Sequence, residues 1–349
     1  MDNLFIRVDA SLQIGWGHLI RCFSLASMLR DLFQVEFIIK DEKAVFDFLK
    51  KENFLVHLIP SDVDCLSEIE FIKKIVNEKS ILLLDGYPFD LSYQNSLKKS
   101  CNKLVCIDDV NPGKFNVDLI INHNVYAPLE KYCGPLYMRT CLGVDYALLR
   151  QEFFEAHSKK KLAVNKIGKI LICMGGADVS GQTFRFLKVL SKLNNEKLFI
   201  TAVVAQTGED YQKIYDWVIK NHLEKNILLK TGLNARDISN EMIGNDLIVC
   251  PASVIALEAC VVGIPMITGI IADNQIKNAK YLEDSNLAIN FSWFKDIDAD
   301  TLGQKIGKVI KDVDKLNEIR VNQKKIIKRN PKENLRQVFL SLVIQNESR

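Results

Sequence analysis

Short apolar runs rich in Ile, Leu and Val alternate with amphipathic stretches along most of the chain. Six runs in the first half predict strands, at 4–9, 34–40, 54–60, 80–86, 103–109 and 118–122. A helical period between the early runs predicts helices at 18–32, 42–52 and 66–78. Continuous apolar strands separated by helices are typical of a parallel sheet covered on both faces. The first half therefore predicts an α/β unit.

A lysine run at 159–161 interrupts this rhythm and resembles a solvated linker. The alternation then restarts, with strands predicted at 169–178, 198–206, 226–232, 246–252 and 265–271. Two such repeats predict an α/β fold with two Rossmann-like domains facing across a cleft, residues 1–155 and 165–330. The last segment, 331–349, carries a helical pattern at 332–345 that is predicted to pack back on the first domain.

Composition narrows the class of protein. A length of 349 residues favours two domains, and a net charge of +3 from 46 basic and 43 acidic residues does not indicate a nucleic-acid partner. No apolar stretch is long enough for membrane insertion, and the first residues do not form a signal peptide. Nine cysteines without paired-motif spacing favour neither disulfides nor zinc. These features predict a cytoplasmic protein.

The stretch "QIGWGHLIR" follows the first predicted strand. Gly15 and Gly17 permit close approach of the backbone, and the helix that begins near His18 directs free N–H groups to the strand edge. This predicts a site for a phosphate or a developing negative charge. His18 is suited to act as a base, although a capping or packing role fits the fragment equally well. The third glycine of the dinucleotide fingerprint is missing, which argues against an NAD cofactor.

Two motifs of the second half also follow predicted strands. In "CMGGAD", Gly175 and Gly176 would let the backbone approach a diphosphate, although a tight turn alone would also need them. In "CPASVIA", Ser253 is placed to cap the next helix. Both motifs are predicted to contact substrate.

Polar residues further along extend this predicted site. Glu258 lies on the helix after Ser253, where a carboxylate can accept both hydroxyls of a ribose, and the alternative is a solvated helix residue. Asn274 and Gln275 follow another strand, at the end where α/β sheets bind ligands. No cluster of metal ligands stands out, and we expect no cofactor.

Taken together, "IRVDASLQIGWGHLIRCFSLA", "LLDGY", "LGVDYALLRQEF", "MGGAD" and "SVIALEACVVGIPMITGIIADNQIKNA" resemble the UDP-sugar hydrolase family of pseudaminic acid biosynthesis. Its members release UDP from UDP-2,4-diacetamido-2,4,6-trideoxy-β-L-altropyranose. Spore-coat polysaccharide proteins share the motifs, as do, more distantly, glycosyltransferases of the lipid II N-acetylglucosaminyl type. The resemblance covers residues 4–290 and implies a GT-B architecture.

The resemblance implies roles for residues of the first half. His18 matches the family's catalytic histidine, the base that activates water. Tyr87 matches a tyrosine that would hold this water or the sugar. Asp9 and Arg21 match the N-terminal signature as organisers of the loop, and Arg21 is also a candidate substrate ligand.

In the second half, Glu258 corresponds to the acidic residue expected on the uridine ribose. Asn274 and Gln275 correspond to a pair that faces the diphosphate or the sugar. Two positions depart from the family: "PASVIA" lacks a glycine that relatives often carry, and Gly86 replaces a common histidine.

The sequence therefore predicts a hydrolase acting on a UDP-sugar. A GT-B glycosyltransferase would use the same base and the same UDP site, so it remains an alternative. A non-catalytic UDP-sugar-binding protein would follow if His18 only capped its helix.

Overall fold

A computed structural model describes residues 2–10, 16–157, 163–175, 178, 180–193, 198–204, 208–326 and 330–344. The chain divides into two compact units, one formed by Met1–Leu149 with Lys328–Arg349 and the other by Arg150–Ile327. The first unit thus ends before residue 155, the boundary expected from sequence. The physical reason is a helix over Gln151–His157, which packs on helices of the second unit.

The first unit contains a parallel sheet in the order β3-β2-β1-β4-β5-β6-β7. Its strands are β1 (Asn3–Val8), β2 (Gln34–Lys40), β3 (Leu55–Ile59), β4 (Ile81–Asp85), β5 (Lys103–Ile107), β6 (Leu119–Asn122) and β7 (Arg139–Leu142). The helices before residue 150 are α1 (Gly17–Leu29), α2 (Lys43–Lys51), α3 (Cys65–Ile75) and α4 (Leu91–Leu97).

The central strands of this sheet are buried on both faces because apolar side chains occupy both. Every residue of β4 is buried, and two separate apolar clusters cover the two faces of the sheet. The strand order reverses between β1 and β4, where Val8 pairs with Asp85. Ligands of open α/β sheets bind at the carboxyl ends of strands where the order reverses.

The second unit repeats this plan with a parallel sheet in the order β10-β9-β8-β11-β12-β13. Its strands are β8 (Lys169–Cys173), β9 (Phe199–Val203), β10 (Ile227–Lys230), β11 (Leu247–Pro251), β12 (Met266–Ile270) and β13 (Ile289–Trp293). The order reverses between β8 and β11, where Ile172 pairs with Val249. This crevice is the counterpart of the one between β1 and β4.

Eight helices belong to the second unit in the part of the chain that the structure describes. They are α5 (Gln151–His157), α6 (Gln182–Leu190), α7 (Gly208–Lys220), α8 (Ala235–Gly244), α9 (Val254–Val262), α10 (Ile276–Asp284), α11 (Ala299–Lys311) and α12 (Val313–Gln323). None of the described helices, in either unit, has the length and apolar character needed to cross a membrane.

The last helix, α13 (Pro331–Ile344), belongs to the first unit. Leu335 and Phe339 are fully buried in the same apolar cluster as the α1 side chains. Arg336 donates to the Met28 carbonyl at 3.1 Å and to the Asp31 carboxylate at 2.5 Å. The terminal helix thus packs on α1.

Candidate functional site

The crevice between β1 and β4 brings together three side chains from different parts of the first unit. His18 and Arg21 lie on the first turns of α1, and Asp85 is the last residue of β4. His18 Nδ1 lies 2.8 Å from Asp85 Oδ1. Arg21 donates to both oxygens of the same carboxylate, from Nε at 2.7 Å and from Nη2 at 2.5 Å. The structure thus pairs the predicted base with a buried carboxylate.

Asp85 is ionised despite its complete burial. Burial alone would raise the pKa of the carboxyl, but the charges and hydrogen bonds of Arg21 and His18 together outweigh it and hold the pKa well below its ordinary value. The Cys22 thiol donates a further hydrogen bond to Asp85 Oδ2 at 3.2 Å. Arg21 remains charged, because two carboxylates offset the cost of burying it.

The charge of Asp85 decides which ring nitrogen of His18 carries the proton. An ionised carboxylate only accepts hydrogen bonds, so Nδ1 must donate to Asp85 Oδ1. Arg21 Nη2 also lies 2.9 Å from Nδ1, but a guanidinium only donates and cannot bond to an Nδ1 that carries a proton. We assign the proton to Nδ1 from this network. In the neutral imidazole Nε2 is then the nitrogen that is able to accept a proton.

The surroundings of His18 leave it accessible. Its side chain is 12% exposed, and its ring meets the Tyr87 ring edge to face at 5.1 Å between centroids. Tyr87 is itself 56% exposed. Among the described residues, no atom outside its own helix backbone and chain neighbours would lie within 4 Å of a Cβ added to Gly17. The predicted residues His18, Tyr87 and Gly17 therefore lie together; Gly15 lies outside the described residues.

The first turn of α1 carries no acidic residue, and its N-cap Trp16 makes no side-chain capping bond. Among the described residues, no side chain therefore neutralises this helix terminus. Uncapped N–H groups and the positive end of the helix dipole favour an anion. This matches the electrostatic character predicted for the motif.

A second layer of polar residues surrounds Arg21. Asp109 accepts from Arg21 Nη1 at 2.9 Å, and Asp108 accepts from the Tyr132 hydroxyl at 2.8 Å. His123 follows β6 and is buried, and its Nδ1 accepts from the Leu148 N–H at 3.1 Å. Burial, together with the charge of Arg21, lowers the pKa of His123 to about 3. His123 is therefore neutral.

Arg21 and Asp9 organise the local structure. Arg21 is buried and shares its guanidinium between Asp85 and Asp109, so direct contact between Arg21 and substrate stays a prediction. Asp9 accepts two hydrogen bonds from Arg7, at 2.5 and 2.7 Å, and a third from the Lys40 N–H at 3.1 Å. These bonds tie the end of β1 to the end of β2.

In the second unit, the two predicted loops follow β8 and β11, the strands at the reversal of strand order. Gly175 has a φ of 88°, in the left-handed region that favours glycine, and a Cβ there would meet no atom within 4 Å in the part of the chain that the structure describes. Ser253 takes the N-cap position of α9 but makes no capping hydrogen bond. The predicted cap is thus present by position only. Gly176 lies outside the described residues.

The neighbouring helix α6 is different, because a carboxylate already occupies its N-terminus. Asp178 accepts from the Gln182 N–H at 2.8 Å and from the Thr183 N–H at 2.6 Å. A diphosphate near "MGGAD" would therefore meet the backbone of the loop and not the first N–H groups of α6.

Glu258 is buried, so its alternative interpretation as a solvated helix residue is wrong. Its Oε1 accepts from Arg150 Nη2 at 3.0 Å. Burial raises the pKa of Glu258, and Arg150 only partly opposes this effect. A ribose contact for Glu258 stays a prediction.

Asn274 and Gln275 lie in a 3-10 turn after β12. Gln275 is buried and its Oε1 accepts from the Ile271 N–H at 3.0 Å, whereas Asn274 is exposed. The next helix carries Asn278, which donates to the Ala252 carbonyl at 3.0 Å. The structure thus gives Gln275 a local contact and leaves the ligand role of both predicted residues as a prediction.

Sequence reasoning missed Asp85, Asp109 and Arg150. The signal for Asp85 was present, since a lone acid ends the apolar run "LLLD" at the sheet edge where His18 was expected. Arg150 carried no comparable signal, because its partner Glu258 is distant in sequence. Among the described residues, no group of three His, Cys, Asp or Glu side chains could hold a metal ion.

The chain was compared with known proteins in sequence and in fold. No family model matches the chain. The UDP-2,4-diacetamido-2,4,6-trideoxy-beta-L-altropyranose hydrolase of Campylobacter jejuni is 26% identical over 299 residues, which are 83% of this chain and 100% of the hydrolase. The chain is thus similar to this UDP-sugar hydrolase over the full length of the hydrolase. The resemblance seen in the sequence motifs is thereby confirmed.

A longer relative is the uncharacterized protein MJ1062 of Methanocaldococcus jannaschii. It is 27% identical over 295 residues, which are 80% of this chain. The match spans 57% of the length of that protein.

Solved structures with similar folds include MurG of Acinetobacter baumannii, with a TM-score of 0.68 and 15% identity over 98% of this chain and 100% of MurG. The spinosyn rhamnosyltransferase SpnG has a TM-score of 0.67 and 14% identity over 97% of this chain and 100% of SpnG. Anabaena Alr3699/HepE in complex with UDP has a TM-score of 0.63 and 15% identity over 99% of this chain and 100% of Alr3699/HepE. The predicted α/β fold of the GT-B type is confirmed, while the predicted cleft stays a prediction.

Proposed function

We propose that the chain is a hydrolase that releases UDP from a UDP-linked diacetamido-trideoxy sugar. The observation that carries the proposal is the contact between His18 Nδ1 and Asp85 Oδ1 at 2.8 Å, which leaves Nε2 free as a base. The relationship to the Campylobacter jejuni hydrolase supplies the substrate class. The corresponding process is pseudaminic acid-type surface glycan biosynthesis.

The reaction is a displacement at the anomeric carbon. His18 Nε2 takes a proton from water as the water oxygen bonds to the anomeric carbon. The bond from this carbon to the phosphate oxygen breaks, and UDP leaves with the electron pair. Asp85 stabilises the imidazolium that forms, and the proton passes later to solvent. Positioned base catalysis of this kind contributes about 10²–10⁴-fold.

The leaving group needs little assistance from an acid. A diphosphate departs as a stable anion, so the paired carboxylates of glycosidases are not required. Electrostatic stabilisation comes from positive charge and N–H groups placed where negative charge develops. The uncapped N-terminus of α1 is one such group of donors in the first unit.

We assign the nucleotide to the second unit. Gly175 offers backbone without a side chain at the end of β8, and Ser253 starts α9 with an uncommitted cap position. Glu258 is the acceptor proposed for the ribose hydroxyls. Alr3699/HepE, which has a similar fold, was solved with UDP.

The test is to incubate the purified protein with UDP-2,4-diacetamido-2,4,6-trideoxy-β-L-altropyranose and other UDP-sugars, with no acceptor present. UDP and free reducing sugar are both measured. We expect equal amounts of the two products from the wild type, and a rate lowered by about 10²–10⁴-fold in His18→Ala. The matched control is His57→Ala. His57 lies on β3, where it pairs with Glu36 of β2, outside this site.

Undiminished turnover by His18→Ala would contradict the role of His18 as base. Binding of UDP-sugar without turnover by the wild type would favour the non-catalytic alternative.

A glycosyltransferase is the second candidate, because SpnG, a rhamnosyltransferase, shares the fold. In that reaction an acceptor hydroxyl replaces water at His18. A transferase would release UDP only when an acceptor is added and would form no free sugar. The measurement without acceptor therefore separates the two activities.

The cytoplasmic location predicted from the cysteines, and the absence of nucleic-acid partners predicted from charge, stay predictions. Both concern the setting of the reaction rather than its chemistry.

A further inference from the structure

A buried ion pair in the second unit joins the residue before α5 to the second turn of α9. Arg150 Nη2 donates to Glu258 Oε1 at 3.0 Å, and the two side chains are only 17% and 4% exposed. Helix α5, which starts at the next residue, packs on α8 and α9. This packing fixes where the guanidinium lies relative to Glu258.

The position of Arg150 is determined by more than its charge. Its guanidinium lies over the Phe153 ring, 5.0 Å from the centroid. Its Nε is buried and has no hydrogen-bond partner among the described residues. A buried donor left unpaired is unfavourable, and a buried ion pair adds little net stability because both charges lose their hydration. Stability alone therefore gives a poor account of this pair.

The carboxylate of Glu258 lies close to the reversal of strand order in the second unit. Burial and, to a smaller extent, the nearby Glu258 charge raise the pKa of Cys173, the last residue of β8, to about 11. The same charge acts on Cys250 in β11. The geometry agrees, because α9 begins shortly after β11 and packs on β11 and β12, so Glu258 in its second turn lies near the strand whose carboxyl end borders the crevice of this unit.

We propose that Arg150 is a positioning residue for the nucleotide, which holds the Glu258 carboxylate in the charged form and orientation that accept ribose hydroxyls. The inference rests on the proposed function, since it takes UDP as the ligand of the second unit. Arg150 uses one carboxylate oxygen, and an ionised carboxylate can accept about four hydrogen bonds in all. Acceptance by a charged group makes such bonds stronger than neutral ones.

The experiment measures binding of UDP and of 2′,3′-dideoxyuridine 5′-diphosphate by calorimetry between pH 6 and 8.5. Four variants are compared with the wild type: Arg150→Met, Arg150→Lys, Glu258→Gln and Arg236→Met. The last is a matched control, because Arg236 forms an exposed ion pair with Glu155 on the same helix α5.

We expect Arg150→Met to weaken UDP binding by about 10–100-fold, as for loss of hydrogen bonds to a charged group. Its binding of the dideoxy nucleotide should match that of the wild type. Without Arg150, burial favours the neutral carboxyl, so part of the UDP affinity should return as the pH rises. Arg150→Lys should still bind UDP more tightly than the dideoxy nucleotide. Glu258→Gln should bind the two nucleotides equally at every pH. Arg236→Met should behave as wild type.

Unchanged UDP binding in Arg150→Met, or an equal loss for both nucleotides, would overturn the inference and leave the proposed function standing. Arg150→Met is replaced by Arg150→Lys if it does not fold. The inference would then be overturned if Arg150→Lys no longer discriminated between UDP and the dideoxy nucleotide while Glu258→Gln still did. A wild-type protein that binds no UDP would overturn the proposed function and this inference with it.

Discussion

The two units place different chemistry at the same point of the same topology. In the first unit, the crevice where strand order reverses holds His18, Arg21 and Asp85, which form a charged network. In the second unit, the equivalent loops offer Gly175 and Ser253, with neutral backbone and no capping side chain. A charged network suits proton transfer, and a backbone surface suits an anion that must bind and leave. The comparison shows that the two sheets share one topology, whereas the residues that follow or end their strands differ in chemistry.

The largest expected effect comes from breaking the charged network at Asp85→Asn. The amide keeps only one acceptor oxygen, for which Arg21 and His18 compete, and its NH2 group, when turned to His18, donates to Nδ1 and favours the wrong tautomer of the imidazole. We expect hydrolysis to fall by about 10²–10⁴-fold with UDP binding unchanged. Steady-state kinetics and calorimetry give the two quantities.

The control for this change is Asp109→Asn, which also removes a carboxylate from Arg21 but does not touch His18. We expect a smaller loss of rate there. Equal losses in both variants would mean that net charge, and not orientation of His18, governs the rate.

The next effect concerns the pH dependence of stability and the buried His123, which is distinct from the proposed base His18. With its pKa lowered to about 3, His123 stays neutral in the folded protein while the unfolded chain takes up a proton below about pH 6.5. The unfolded state then binds more protons, so stability falls with decreasing pH, by up to about 1.4 kcal/mol per pH unit. Urea unfolding of His123→Gln should show a shallower slope between pH 7 and 5.

His222→Asn serves as the control, because His222 is exposed on the surface of the second unit. Its slope should match that of the wild type. A His123→Gln slope equal to that of the wild type would show that His123 does not carry this pH dependence.

A smaller effect tests the contrast between two helix N-termini of the second unit. Asp178 caps α6 with two hydrogen bonds, so Asp178→Ala should lower the free energy of unfolding by about 1 kcal/mol. Ser253 makes no capping bond, so Ser253→Ala should change the free energy of unfolding by less than about 0.5 kcal/mol. Chemical denaturation measures both. A larger cost for Ser253→Ala would contradict the view that its helix terminus is uncommitted.

A modest effect on stability, with the opposite sign, is expected at Gly17→Ala. Alanine is the better helix former and its Cβ meets open space, so stability should rise by about 0.4–1 kcal/mol. The same methyl group enters the space assigned to substrate, so KM for the UDP-sugar should increase. Thermal unfolding measures the expected gain in stability, and steady-state kinetics on the same preparation measure the expected increase in KM. An unchanged KM would place the substrate elsewhere.

Elements with a strong apolar pattern were predictable from sequence. The strand predicted at 34–40 matches β2, and the other predicted strands overlap β1, β3–β6 and β8–β12. The pattern missed β7 and β13, which are only partly buried. It also missed the helices α4, α5, α8 and α10–α12, and in α8 polar residues outnumber apolar ones. A capping box at Asn234 and Asp237 marks the start of α8 and was the available signal.

The candidate site was predictable in its loops and not in its partners. A glycine loop before a helix identifies His18 locally, because the residues are adjacent. Asp85 contacts His18 only because the strand order places β4 beside β1, and a single sequence does not state that order. Arg150 and Glu258 meet through helix packing, which is less predictable still.

The position of α13 has a consequence for how the molecule is made. Since Leu335 and Phe339 complete the core of the first unit, that unit lacks part of its interior until the ribosome has delivered the whole of the second. We expect the nascent N-terminal half to emerge with an apolar groove uncovered along α1, and the middle of the chain to finish folding before the beginning does.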